Sequence, residues 1–214
     1  MRITEHPKVI AEGRRIEIGV DKGPVLQLRA IKHKTGDGPE SVTIYAHRPN
    51  CTGIVAAIAE RQTDEGKELL FLGNHRPALT ENGTGKVIEL VAGKVGDEQE
   101  EDFLTAIRRE VMEEGGYKDN QIESIVPFDD FGQNNASSSG LTSEGTNFYH
   151  VKISGNSNNA TSDDGIIKDR FWVKADLKSL VAFLEEKAKE GFNISKQALT
   201  GLFMWIAAQT KSEE

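Results

Sequence analysis

Between Arg108 and Tyr117 the chain reads Arg108-Arg109-Glu110-Val111-Met112-Glu113-Glu114-Gly115-Gly116-Tyr117. Phe103, Leu104, Ile107, Val111 and Met112 recur at helical spacing, and the glycine pair stops the run. Glu110, Glu113 and Glu114 stand at i, i+3 and i+4, which puts all three carboxylates on one side of that helix. Like charges at this spacing repel, so the segment demands a partner. A hard divalent cation supplies one, because Mg²⁺ takes a few carboxylate oxygens and completes its shell with water and phosphate oxygens. Arg109 can brace a carboxylate through a fork of hydrogen bonds. Glu101 sits just before the helix and favours its N-terminal dipole.

Around this helix the sequence is rich in strands. "VLQLRAIKHK" and "SVTIYAHRP" flank the turn cluster Gly36-Asp37-Gly38-Pro39, which predicts an antiparallel hairpin. "GIVAAIAER" and "ELLFLGNHRPA" flank Asp64-Glu65-Gly66-Lys67 and read as a central hairpin. "KVIELVAGKV" reads as one strand, followed by a glycine loop from Gly93 to Gly96 into the helix. Further strands are expected around Ile122–Phe128, "NFYHVKI" and "RFWVKA", separated by the polar loops "GQNNASSSGLTSEGT" and "SGNSNNATSDDG". Two helices close the chain. Leu177, Leu180, Val181, Leu184 and Ala188 form the apolar stripe of the first, and Leu199, Leu202, Phe203, Ile206 and Ala207 that of the second. Many strands with few helices imply a layered α/β fold rather than a doubly wound sheet. No dinucleotide-binding or P-loop glycine pattern follows a strand.

The 214 residues suffice for one catalytic domain with an accessory segment, or for two small domains, and the formal net charge is −8. That field disfavours nucleic acid, since no Lys/Arg run is present to overcome it. Cys51 is the single cysteine, which leaves no internal disulfide and no Cys-based zinc site. The first residues lack the apolar core of a signal peptide, and no stretch has the length of a membrane span, so a cytoplasmic setting is expected.

Glu101, seven intervening residues and then Arg109 to Tyr117 resemble the Nudix box, whose hallmark is Arg-Glu-aliphatic-x-Glu-Glu-x-Gly-apolar. "IELVAGKV" resembles the segment that precedes the box in the branch acting on ADP-ribose and nucleoside diphosphate sugars, and "GNHRPAL" resembles that branch's strand ending in Arg-Pro. The similarity runs from about Gly53 to Phe148. Two departures stand out: the interval from Gly93 to Glu101 is longer than usual, and Val91 occupies a position where the branch usually carries proline. Neither removes a carboxylate.

The resemblance implies a mixed β-sheet between helices (α/β/α), with an N-terminal antiparallel β extension in residues 1–51 and the catalytic domain in 52–214. It implies Mg²⁺, with Mn²⁺ as a substitute, held by Glu110, Glu114 and the Ala92 carbonyl, with Glu113 completing the cluster. Arg109 would orient carboxylates and Glu101 would be structural by salt bridge. In the loop after the box Glu144 is the acid available as metal ligand, base or both, and Ser139 stands where the branch has proline. Arg76 would hold a substrate phosphate through its planar fork, and Glu89 is the second substrate-binding candidate. His75 receives no role. The expected reaction is hydrolysis of nucleoside diphosphate sugars of the ADP-ribose and GDP-mannose type to nucleoside monophosphate and sugar phosphate. A proline that marks ADP-ribose specialists is missing downstream of the box, which argues against strict selectivity for that compound. The alternatives are a Nudix enzyme for dinucleoside polyphosphates or a coenzyme, and a silent nucleotide-binding domain. A homodimer built through the N-terminal hairpin is expected.

Overall fold

The computed structural model describes residues 8–12, 16–20, 23–34, 40–49, 51–76, 79, 83–96, 101–128, 135–136, 144–157 and 169–211. The turn at Gly36–Pro39, Ser139 and most of the two polar loops fall outside these residues.

Two sheets form. The first is antiparallel and contains β1 (Lys8–Glu12), β2 (Ile16–Val20), β3 (Gly23–Lys34) and β4 (Glu40–His47). β3 pairs with all three of the others, and its register with β4 runs unbroken from Gln27↔His47 to Lys34↔Glu40. That register is the hairpin the sequence predicts.

The second sheet has nine strands: β5 (Gly53–Thr63), β6 (Gly66–His75), β7 (Lys86–Glu89), β8 (Val91–Val95), β9 (Ile122–Pro127), β10 (Asn135–Ala136), β11 (Gly145–Ile153), β12 (Asp169–Lys174) and β13 (Asn193–Ile194). It is mixed, since β11 runs parallel to β5 and β13 parallel to β7. The β5–β6 hairpin turns at Gly66, whose φ of 116° few residues other than glycine adopt. Beyond Glu60↔Leu69 the two strands part. β8 then pairs with β5, and β7 with β6. The run "KVIELVAGKV" is thus two strands broken at Leu90, each serving a different neighbour. Period-two patterning cannot reveal such a break, because both pieces are buried and apolar.

Among the described residues three α-helices cover the two faces: α1 (Phe103–Glu113), α2 (Leu177–Lys189) and α3 (Lys196–Lys211). Val55, Ala57, Ala59, Leu70 and Leu72 pack with Ala106, Ile107 and Val111 of α1. The alternate residues Ala56, Ile58, Leu69 and Phe71 pack with Leu180 of α2 and Ala198, Leu202 and Trp205 of α3. This is the α/β/α arrangement expected. The helix faces are set differently from the predicted stripes. Leu177 and Val181 on α2, Leu199 and Phe203 on α3, and Leu104 and Met112 on α1 are exposed. Small residues take their place: at Gly201 even a Cβ would come within 2.6 Å of Leu90 Cδ1. Close approach to a sheet selects small side chains, so hydrophobicity alone misjudges the contact face.

Candidate active site

Helix α1 begins where Asp102 accepts a hydrogen bond from the Thr105 N–H at 2.7 Å, an N-cap that satisfies one of the helix's orphan donors. The cap, and not Glu101, is the acid that serves the helix start. The chain turns out of the helix through Gly116, whose φ is 77°.

The box residues line the side of α1 that meets β8. Arg109 is their hub. Its Nε donates to Glu101 Oε1 at 2.8 Å, and its Nη2 donates to Glu101 Oε2 at 3.2 Å and to the Lys94 carbonyl at 3.1 Å. Its Nη1 donates to Glu110 Oε1 at 2.7 Å and to Glu113 Oε2 at 3.0 Å. The Glu101 side chain is fully buried and also accepts from the Gly96 N–H. Glu101 raises the Arg109 pKa, so the guanidinium is a permanent charge.

Glu110 is buried, and burial followed by the neighbouring Glu114 charge pushes its pKa up to about 7, against the pull of Arg109. Its carboxylate lies directly over Gly93. A Cβ there would stand 1.7 Å from Glu110 Oε1. Gly93 therefore belongs to the middle of β8, where its missing side chain makes room for a carboxylate, and not to a loop leading into the helix. Sequence reading missed this role, although a glycine inside a strand pattern is itself a sign of close approach. One residue earlier, the Ala92 N–H donates to Glu114 Oε2 at 3.0 Å. Two carboxylates of α1 thus cover two successive residues of β8. Arg170 of β12 donates from Nε to the Glu114 carbonyl at 3.0 Å and holds the helix end, a contact the sequence did not suggest.

The other candidates sort into three places. Glu113 turns to Arg109 and is part-exposed. Arg76 and Glu89 meet each other, Arg76 Nη2 to Glu89 Oε2 at 2.8 Å, with Asn74 Nδ2 donating to the same oxygen at 3.2 Å. Both lie on the α1 side of β6 and β7, since Leu72 of the α1-side core pairs with Glu89. Glu144 sits before β11, with its carboxylate 3.2 Å from Arg48 Nε. Among the described residues no group of three or more His, Cys, Asp or Glu side chains forms a ready-made metal cage. The donor set nonetheless fits a hard cation. Glu110 and Glu114 are crowded like charges, and a strand residue's carbonyl leaves on the same edge as its N–H, which for Ala92 is the edge meeting Glu114. A cation that keeps several waters needs no closed cage.

Cys51, with its thiol against the Gly53 carbonyl at 3.1 Å, has a pKa raised by burial and then by Glu144. That environment disfavours a nucleophilic thiolate. Among the described residues no helix is long and apolar enough to cross a membrane.

No protein-family model matches the sequence, and no curated protein matches it. Solved structures do. The chain is similar to an ADP compounds hydrolase with a TM-score of 0.59 and 14% identity, over 95% of both chains. Also similar are a Nudix hydrolase from Listeria monocytogenes (TM-score 0.44, 16% identity, 75% of this chain and 95% of that one) and the Nudix domain of Shewanella oneidensis NrtR, solved with ADP-ribose (0.47, 13%, 73% and 86%). The chain shares its fold with the ADP compounds hydrolase over nearly the whole length of both.

Proposed function

We propose that the protein is a metal-dependent Nudix hydrolase that cleaves the diphosphate bond of nucleoside diphosphate sugars, giving a nucleoside monophosphate and a sugar phosphate. The observation that carries the reading is the pair of α1 carboxylates, Glu110 and Glu114, laid against the backbone of Ala92 and Gly93.

Glu110, Glu114 and the Ala92 carbonyl would hold Mg²⁺, or Mn²⁺ in its place. When bound, the metal neutralises diphosphate oxygens and lowers the pKa of an attacking water. The chain's own groups set up the rest. Arg109 fixes the carboxylate directions through five hydrogen bonds to Glu101, Glu110, Glu113 and the Lys94 carbonyl. Arg76, aligned by Glu89, offers a planar fork to a substrate phosphate. Glu144 is the proposed proton acceptor, and its pairing with Arg48 orients it before substrate arrives. Arg48 follows β4, so this pair joins the end of the 1–51 segment to the 52–214 part that we read as the catalytic domain.

The substrate class follows the resemblance of the Ala92-Gly93-Lys94 and Arg76 segments to the sugar-nucleotide branch, and the likeness to an ADP compounds hydrolase agrees with it. We further propose a homodimer formed through the N-terminal sheet and a cytoplasmic setting. A monomeric sedimentation profile at micromolar concentration would remove the dimer.

The decisive experiment measures product release from ADP-ribose, GDP-mannose, UDP-glucose, a dinucleoside polyphosphate and nucleoside triphosphates. It is run with Mg²⁺ and with EDTA, for the wild type and Glu114→Gln. Metal-dependent release of nucleoside monophosphate from the sugar nucleotides, lost in the variant, is the expected result. Turnover confined to triphosphates or dinucleotides overturns the substrate class. No turnover of any compound overturns the enzyme reading.

A further inference from the structure

Strand β6 serves two sides of the sheet. Leu70 and Leu72 face α1, and Asn74 continues that side toward Glu89. Leu69 and Phe71 face α2, and Gly73 and His75 continue that side by alternation. On the α2 side the ends of β6, β7 and β12 and the last turn of α2 line an open cleft of about 540 Å³. A small-molecule site commonly has such a volume. The side chains of Glu110, Glu113 and Glu114 belong to α1, across the sheet.

The cleft holds three kinds of group. Its apolar wall is Phe171 and Phe192, with ring centroids 6.4 Å apart at an interplanar angle of 89°. Gly73 lets β6 lie against the first of these rings, for a Cβ would come within 2.7 Å of Phe171 Cε2. Its basic rim is His75 and Lys86, which are direct cross-strand partners and both exposed. Lys86 Nζ stands 5.3 Å from the Phe192 ring centroid. Its acceptor is Asp169, which pairs in register with Gly73. Lys187 also lines the cleft, but Glu190 neutralises it at 2.8 Å and 3.0 Å. Among the described residues, neither the His75 imidazole nor the Asp169 carboxylate has a hydrogen-bonding or ion-pair partner.

We propose that this cleft is a second ligand site and that it binds a nucleoside monophosphate. An aromatic wall suits a planar base. Paired basic groups suit one phosphate, and a free carboxylate beside them suits ribose hydroxyls. An apolar ligand would leave the charged rim unmatched, and inorganic phosphate would leave the rings unused. With Lys187 paired to Glu190, Lys86 is the lysine of the rim that would meet a single phosphate. The site does not depend on the hydrolase reading, because none of its cationic, acidic or aromatic side chains has a part in that chemistry.

The test is a titration of the ¹⁵N-labelled chain with AMP in EDTA, followed by amide chemical shifts. Saturable shifts at Gly73, His75 and Lys86 are expected, with affinity weakened about tenfold or more by Lys86→Glu and severalfold by His75→Ala. Adenosine alone and inorganic phosphate alone should each bind about tenfold or more weakly than AMP. Shifts confined to the α1 face, shifts indifferent to Lys86→Glu, or phosphate binding as tightly as AMP would each overturn the proposal. A protein that shows the cleft shifts but hydrolyses nothing keeps this site and loses the hydrolase reading. One that hydrolyses but shows no cleft shifts does the reverse.

Discussion

The Glu110 carboxylate occupies the space that a side chain at residue 93 would fill, its Oε1 lying 1.7 Å from where a Cβ on Gly93 would be. Helix and strand are therefore fitted to each other at a single missing methyl group. Gly93→Ala forces Glu110 off its position without altering any ionisable residue. Turnover should fall on the order of 100-fold, the cost typical of displacing a catalytic group by about an ångström. Circular dichroism and a thermal melt should show the fold retained. Unchanged turnover would mean that Glu110 is not held where the chemistry needs it.

Arg109 is the only guanidinium joining Glu101, Glu110 and Glu113 among the described residues. Arg109→Ala strands a fully buried Glu101 carboxylate and should cost about 3–5 kcal/mol by urea unfolding, as expected for one partner lost from a buried pair. Lysine cannot reproduce the fork, so Arg109→Lys should recover less than half of that loss.

Glu60 is buried beneath α3, accepting from Trp205 Nε1 at 3.0 Å and lying 3.2 Å from His150 Nε2. Burial raises its pKa, but the hydrogen bonds from His150 and Trp205 outweigh that and lower it to about 2. A depressed carboxyl adds stability that is fully present above its unfolded value near 4.5 and is lost as pH falls through the folded value. Wild type and Glu60→Gln should therefore differ clearly in urea midpoint at pH 6 and converge as pH drops from 5 toward 2. A gap that stays constant over that range would contradict the assignment.

Arg170 reaches from β12 to the carbonyl of Glu114, where α1 ends. It acts through Glu114, as a positioning residue. Arg170→Ala should lower kcat by about tenfold with KM nearly unchanged, the pattern of an interaction realised mainly in the transition state. A rise in KM alone would assign Arg170 to substrate binding.

The sequence made the acidic face of α1 legible because helical spacing turns three glutamates and an arginine into one face without reference to anything else. Arg76 and Glu89 were named separately, and the structure joins them across β6 and β7. What escaped needs a second element to define it. Gly93 looks like a loop residue until Glu110 is seen above it, and Arg170 lies 56 residues from the helix end it caps. The exposed Leu177, Val181, Leu199 and Phe203 misled for a similar reason. The face a helix buries depends on how closely its partner approaches, and at Gly201 that distance leaves no room for a larger side chain.

The break at Leu90 gives the site a phase. Glu89 is read by β6 and Ala92 by β5, and only two residues separate them. Strand side chains alternate with a period of two, so the parity of this link decides whether the Arg76–Glu89 rim and the Gly93 floor open on the same side of the sheet. Inserting a single residue at Leu90 would leave both strand pairings possible and yet turn rim and floor back to back, whereas inserting two would restore their alignment at the expense of a bulge. The distance between the Arg76–Glu89 pair and the Glu110–Glu114 carboxylates is thus counted in residues along one backbone, and its tolerance is to even numbers only.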